Sequence, residues 1–321
     1  MLAKDHPSFP HAQAMAGGTR WEPKWDGWRV LIARDGDTTT LWTRAGKPIT
    51  GMFPEIVEAV DLHVPAGVVL DGELVVWNDS HLDFTALTRR ANVAQARAHV
   101  ESLKMPASYA AFDVLATGGL DLRGEQFDKR RAVLESIAED WHPPLHLSPV
   151  TDEPAIAQSW FRDMGKSGIE GLVAKGGAQR YRPGVRGWLK FKERQTLDVV
   201  AAAVLGPLDS PRGVVIGLPI DGTLQIVGTT TPPHMAAMKT LRPLLAAPRG
   251  LHPWPREVRR STFFGFSGAD HVTLNRIEPV VVEVSADRAR VANTFRHPVR
   301  LIRARPDRTI ESVALPPWFS P

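Results

Sequence analysis

The residues best equipped for chemistry lie around Lys24. The segment Glu22-Pro23-Lys24-Trp25-Asp26-Gly27-Trp28-Arg29 sets an amine, carboxylates and a guanidinium around a glycine. An ammonium cannot attack an electrophile until it loses its proton, and both burial and neighbouring cations favour that loss. Lys190 and Lys192 alternate with Phe191, so on a strand they point to one face. There they could depress the pKa of Lys24 and hold phosphate groups. The Lys-x-Asp-Gly pattern is too short to carry this alone, and its weight depends on partners elsewhere in the chain.

Those residues need elements to position them. Val30 to Ala33 and Thr38 to Trp42 are β-rich and separated by Asp35-Gly36-Asp37, which predicts a hairpin directly after Lys24. A helix is expected from Met52 to Asp61 and a strand from Val68 to Trp77, interrupted by the polar triplet Asp71-Gly72-Glu73. Polar residues inside an apolar strand demand partners or a function. Phe84 to Ala91, Asp128 to Glu139 and Asp152 to Lys166 read as helices, the last stopping at Gly168. Tyr109 to Leu115, Ile169 to Lys175 and Gly187 to Lys192 read as strands. Beyond Arg194 the texture changes to short strands broken by Gly and Pro, with one helical stretch from Pro233 to Leu245. That pattern predicts a small barrel. The boundary falls near Glu193 to Thr196, giving domains 1–194 and 195–321, and the mixed elements indicate an α+β fold with mainly antiparallel sheets.

Composition narrows the classes. The chain has 321 residues, a formal net charge of +4 and no cysteine. Disulfide frameworks, thiolate metal sites and cysteine nucleophiles are therefore excluded. The 11 His residues are scattered and make no helix-spaced metal pair. No stretch has the length and apolarity of a membrane helix, and the first residues do not resemble a secretory signal. A cytoplasmic enzyme with no membrane partner is expected. Gly165-Lys166-Ser167 looks like the end of a phosphate-binding loop, but Trp160 stands where its first glycine belongs.

The partners of Lys24 come in a definite order: Leu70-Asp71-Gly72-Glu73-Leu74, Phe112-Asp113, Glu170-Gly171-Leu172-Val173-Ala174-Lys175 and Trp188-Leu189-Lys190-Phe191-Lys192. Together they resemble the covalent nucleotidyltransferases, the superfamily of ATP-dependent DNA ligases, RNA ligases and messenger-RNA capping enzymes. Within it the sequence is most similar to the small bacterial ligase C and the ligase domain of ligase D, especially in EPKWDGWR and DGELVVW.

The resemblance implies an ATP-dependent DNA ligase built from a nucleotidyltransferase (adenylation) domain and a C-terminal OB-fold β-barrel. It assigns Lys24 to a covalent bond with AMP. Glu22, Arg29, Glu73, Phe112, Lys190 and Lys192 are assigned to the nucleotide, with Phe112 stacking on the base. Glu73 and Glu170 are assigned to Mg²⁺ or Mn²⁺, for which carboxylates are suited donors. Arg44, in Thr43-Arg44-Ala45-Gly46-Lys47, is assigned to the phosphate at a DNA nick. Arg303 and Arg305, expected to share a strand face, are assigned to the phosphates of the leaving group. Arg308 stands where the family usually has lysine, which keeps the charge and alters the geometry. In the family the barrel closes on the nucleotide during the first step.

A monomeric enzyme follows, acting on nicked double-stranded DNA in repair with the help of other repair proteins, and nucleoid-associated while acting. An RNA ligase or a GTP-using capping enzyme would share the lysine chemistry and differ in substrate. A non-catalytic OB-fold protein would bind nucleic acid without forming a covalent nucleotide.

Overall fold

The computed structural model describes residues 1–192, 194–259, 261–264, 271–287 and 289–319. The chain divides into two compact units, Met1–Lys192 and Glu193–Pro321. Glu193, at the expected boundary, lies outside the described residues.

The first unit is built on two sheets. One has four strands, β1 (Leu2–Asp5), β2 (Thr19–Pro23), and further along the chain β7 (Gly171–Gly176) and β8 (Arg186–Lys192), in the order β1-β8-β7-β2. The other has seven strands. Its centre is β3 (Trp28–Asp35), β4 (Thr38–Thr43), β5 (Val68–Asn78) and β6 (Ala107–Thr117), ordered β4-β3-β5-β6. The expected hairpin after Lys24 is β3 and β4. Pairing in both sheets is antiparallel except β1 with β8 and β6 with the short strand Leu145–Leu147.

Side-chain alternation explains how one strand serves two environments. On β5, Leu70, Leu74 and Val76 enter a core with Val30, Ile32 and Tyr109. That core also takes Ile56 and Val60 from helix α1 (Pro54–His63) and Leu87 from α2 (Phe84–Ala91). Asp71 and Glu73 take the opposite face. Gly72 lies on the core side, where a Cβ would come within 2.5 Å of the Tyr109 ring. Glycine is required there because the ring already fills the space.

Helix boundaries differ from the expected ones by a few residues. The first expected helix begins at Pro54, since Pro suits the first turn and not the interior. Helix α3 (Ala98–Lys104) carries no marked apolar period in the sequence. Helices α4 (Phe127–Ile137) and α5 (Pro154–Asp163) flank the sheets, and Gly168 ends the last stretch with φ +83°.

In the second unit β9 (Gln195–Leu205), β10 (Gly213–Ile220), β11 (Thr223–Thr229), β12 (Asn275–Ala286) and β13 (Arg300–Ala304) form a five-stranded sheet ordered β11-β10-β9-β12-β13. Its ladders are antiparallel. A parallel bridge between Thr230 and Val299 then joins the ends of the two outer strands. Val199, Val282, Val284 and Leu301 fill the interior with Leu241 of α6 (Met235–Leu241). Among the described residues, no helix is long and apolar enough to cross a membrane.

Candidate functional site

Lys24 follows the end of β2, and the backbone fixes its neighbour. The Lys24 amide donates to Gly171 O at 2.8 Å and the Glu170 amide donates to Lys24 O at 3.0 Å. A Cβ at Gly171 would lie 2.1 Å from Phe191 O, at φ +146°. The absence of a side chain there lets β7 and β8 close together beside Glu170.

Lys24 Nζ donates to Glu170 Oε2, and Lys192 Nζ lies 3.0 Å from the same oxygen. One carboxylate thus bridges two lysines. Lys190 instead pairs with Asp5 at 3.5 Å. The expectation that Lys190 and Lys192 depress the pKa of Lys24 is not met. Burial pulls that pKa down, but the charge and hydrogen bond of Glu170, with Glu73 and Asp26 behind, outweigh it, and the net shift is upward. Lys190 is drawn to Asp5, and Lys192 shares the Glu170 carboxylate with Lys24, which blunts the effect of both on Lys24.

Between the two sheets of this unit lies a cleft of about 440 Å³. Its walls include Glu22, Lys24, Arg29, Arg44, Glu73, Phe112 and Lys190. Lys192 and Glu170 adjoin it through Lys24. Arg44 sits at the rim on a turn that the Thr43 hydroxyl holds by accepting from the Lys47 amide at 3.1 Å. Glu73 is partly buried, and desolvation pushes its pKa up to about 8 despite the pull of Lys24 and Arg29.

Arg29 is held by a fork. Its Nε and Nη2 donate to the two oxygens of Asp71 at 2.9 and 2.6 Å, and the Tyr181 hydroxyl donates to Asp71 Oδ2 at 2.9 Å. The guanidinium lies over Trp188 and Phe112, 5.0 and 5.5 Å from the ring centroids. Behind these rings Lys175 is fully enclosed, 2.7 Å from Glu22 Oε2 and donating to Phe112 O at 3.0 Å. Its ammonium is 4.5 Å from the centroids of both Phe112 and Trp188. Burial pushes the Lys175 pKa down and the Glu22 pKa up. The other Glu22 oxygen, Oε1, is buried and, among the described residues, has no hydrogen-bond partner.

Phe112 reaches the cleft with only 8% of its surface exposed, and two cations lie over its ring. Asp113 turns away from the cleft and is gripped by Arg130 at 2.7 and 2.8 Å. Sequence reasoning gave Lys175 and Asp113 no role although each stands inside a quoted motif, and it marked Asp71 only as a polar residue in need of a partner. Tyr181, Arg130 and the cleft-lining strand Leu2–Asp5 had no local signal.

Arg303 and Arg305 belong to the second unit. Strand β13 ends at Ala304, and the Arg305 amide carries its pairing with β12 one residue further by donating to Val281 O at 2.8 Å. The two converge on one atom, Glu283 Oε2, at 2.6 and 3.8 Å.

Comparison with known proteins identifies the class. Residues 1–192 match the model of the ATP-dependent DNA ligase domain. The chain belongs to the ATP-dependent DNA ligase family and is an enzyme of that class. It is 34% identical to DNA ligase C2 of Mycolicibacterium smegmatis, covering 95% of this chain and 91% of that protein. It is also 34% identical to DNA ligase C of Mycobacterium tuberculosis, over 96% of this chain and 90% of that protein. Among solved structures, the ligase domain of M. tuberculosis LigD superposes with a TM-score of 0.50 at 25% identity, over 98% of both chains.

Proposed function

We propose that the protein seals nicks in double-stranded DNA in three steps. Lys24 Nζ, having lost its proton, bonds to the α-phosphorus of ATP as the bond to pyrophosphate breaks. AMP then passes to the 5′-phosphate of the nick, and the adjacent 3′-hydroxyl displaces AMP to join the strand. The observation that carries this reading is convergence: Glu22, Lys24 and Arg29 of one segment and Arg44, Glu73, Phe112 and Lys190 from four others line one cleft.

The remaining geometry supports specific roles. Glu22 Oε1, a buried acceptor with no partner among the described residues, suits the exocyclic amino group of adenine, where guanine would present a second acceptor. Lys190 and Lys192 supply charge for phosphates, and Arg44 at the rim supplies a fork for the nick phosphate. Phe112 and Trp188 form the apolar floor. Among the described residues, no group of three or more His, Asp or Glu side chains is placed to hold a metal ion. Glu73 and Glu170 nonetheless fit a cation that completes its shell with phosphate and water, as Mg²⁺ does. When bound, such an ion neutralises triphosphate charge.

In the second unit, Arg303 and Arg305 are proposed to clamp the pyrophosphate leaving group. We assign that unit to the OB fold, a reading supported by its strand order and the parallel bridge between Thr230 and Val299.

Lys24→Ala is expected to abolish the AMP adduct, read as intact mass after incubation with ATP, while the thermal melt is retained. An AMP-sized increment on that variant would overturn the assignment. Wild-type protein labelled as readily by GTP as by ATP would overturn the reading of Glu22.

A further inference from the structure

We infer that Asp198, which lies outside every motif above, is a positioning residue for the arginines that meet the leaving group. This rests on the proposed role of Arg303 and Arg305. Asp198 on β9 stands directly opposite Glu283 on β12 in an antiparallel ladder. Like charges so placed repel, and a sheet tolerates them where counter-charges bind both.

Here the counter-charges are the arginines themselves. Arg303 Nε donates to Glu283 Oε2 at 2.6 Å. Arg305 Nη1 donates to both Asp198 oxygens, at 3.1 and 3.3 Å, and its Nε and Nη2 donate to Asp307 at 2.9 and 2.8 Å. Arg308 Nε lies 3.6 Å from Asp198 Oδ2. Asp198 therefore draws Arg305 and Arg308 to one point, and Glu283 does the same for Arg303.

Exposure divides the labour. The Arg305 side chain is 16% exposed and held by carboxylates from two sides, whereas Arg303 and Arg308 are 55% and 48% exposed. Arg305 is the most firmly held of the three, and Arg303 and Arg308 keep more of their surface open to an anion. A guanidinium suits this duty at Arg308, because it can meet Asp198 along one edge and keep other donors for a phosphate, whereas an ammonium is a point charge. Without Asp198, Arg305 keeps Asp307 but loses its hold from the β9 side and Arg308 loses its carboxylate, so the incoming pyrophosphate would have to order them itself, losing rotamer entropy at the moment of reaction.

The test is Asp198→Asn, which keeps the shape and removes the charge. The rate constant for Lys24 adenylylation at saturating ATP is expected to fall about tenfold. More pyrophosphate should be needed to strip AMP from the adduct. Joining of a nick that already carries a 5′-adenylate, a step without pyrophosphate, should stay within about twofold of wild type. Asp198→Glu should recover most of the adenylylation rate. Equal losses in both assays, unchanged adenylylation, or no recovery by Asp198→Glu would overturn the inference. Arg305→Ala separates it from the reading beneath: normal adenylylation in that variant sinks both. Impaired Arg305→Ala beside unimpaired Asp198→Asn sinks the inference alone.

Discussion

Each unit holds two carboxylates face to face across neighbouring antiparallel strands, and each answers the repulsion differently. In the first unit Asp71 faces Asp113 across β5 and β6. Both side chains are fully buried, and each has its own arginine gripping two oxygens, Arg29 for Asp71 and Arg130 for Asp113. In the second unit Asp198 faces Glu283, water reaches both, and three arginines share them. A buried charge that loses its partner stays desolvated, whereas water replaces a lost partner at the surface. The first pair is therefore scaffold, holding the cleft in shape with or without ligand. The second is exchangeable, because water reaches it and can stand in for a lost partner.

The contrast can be broken by stability measurements. Arg130→Ala strands Asp113 in the interior and should cost roughly 3–5 kcal/mol in urea unfolding. A loss below about 1 kcal/mol would show that the first pair is as replaceable as a surface pair. Gly72→Ala tests how tightly the same strand is packed on its other face. A Cβ within 2.5 Å of the Tyr109 ring should cost about 1–3 kcal/mol by overpacking, and an unchanged melt would mean that the ring yields. Arg303→Ala should cost less than about 1 kcal/mol, because solvent screens its pair with Glu283. If it destabilised the protein as much as Arg130→Ala, the distinction between scaffold and exchangeable cluster would fall.

Local patterns were readable where the signal is local. β-rich stretches around a turn gave β3 and β4, an apolar run gave β5, the expected helix Phe84 to Ala91 coincides with α2, and ordered motifs gave the residues that line the cleft. What escaped depends on chain segments far apart. The pairing of Asp71 with Tyr181 and of Glu22 with Lys175 is set by how the strands are stacked, which no window reveals. Strand Leu2–Asp5 has four residues and earns its place only by lying parallel to β8. The direction of the Lys24 shift was misjudged for a related reason. Counting neighbouring lysines in the sequence does not show that Glu170 and Asp5 have already claimed them.

The bridge between Thr230 and Val299 has a consequence for folding order. It links the end of β11 to the residue before β13, so its formation must await a long loop closure, the slow kind of event in folding. Arg303 lies on that last strand. A chain halted before the bridge forms could own a finished cleft and still lack an ordered arginine cluster. On the role proposed for Arg303, competence to handle the leaving group would come late, once the strand that carries it has docked.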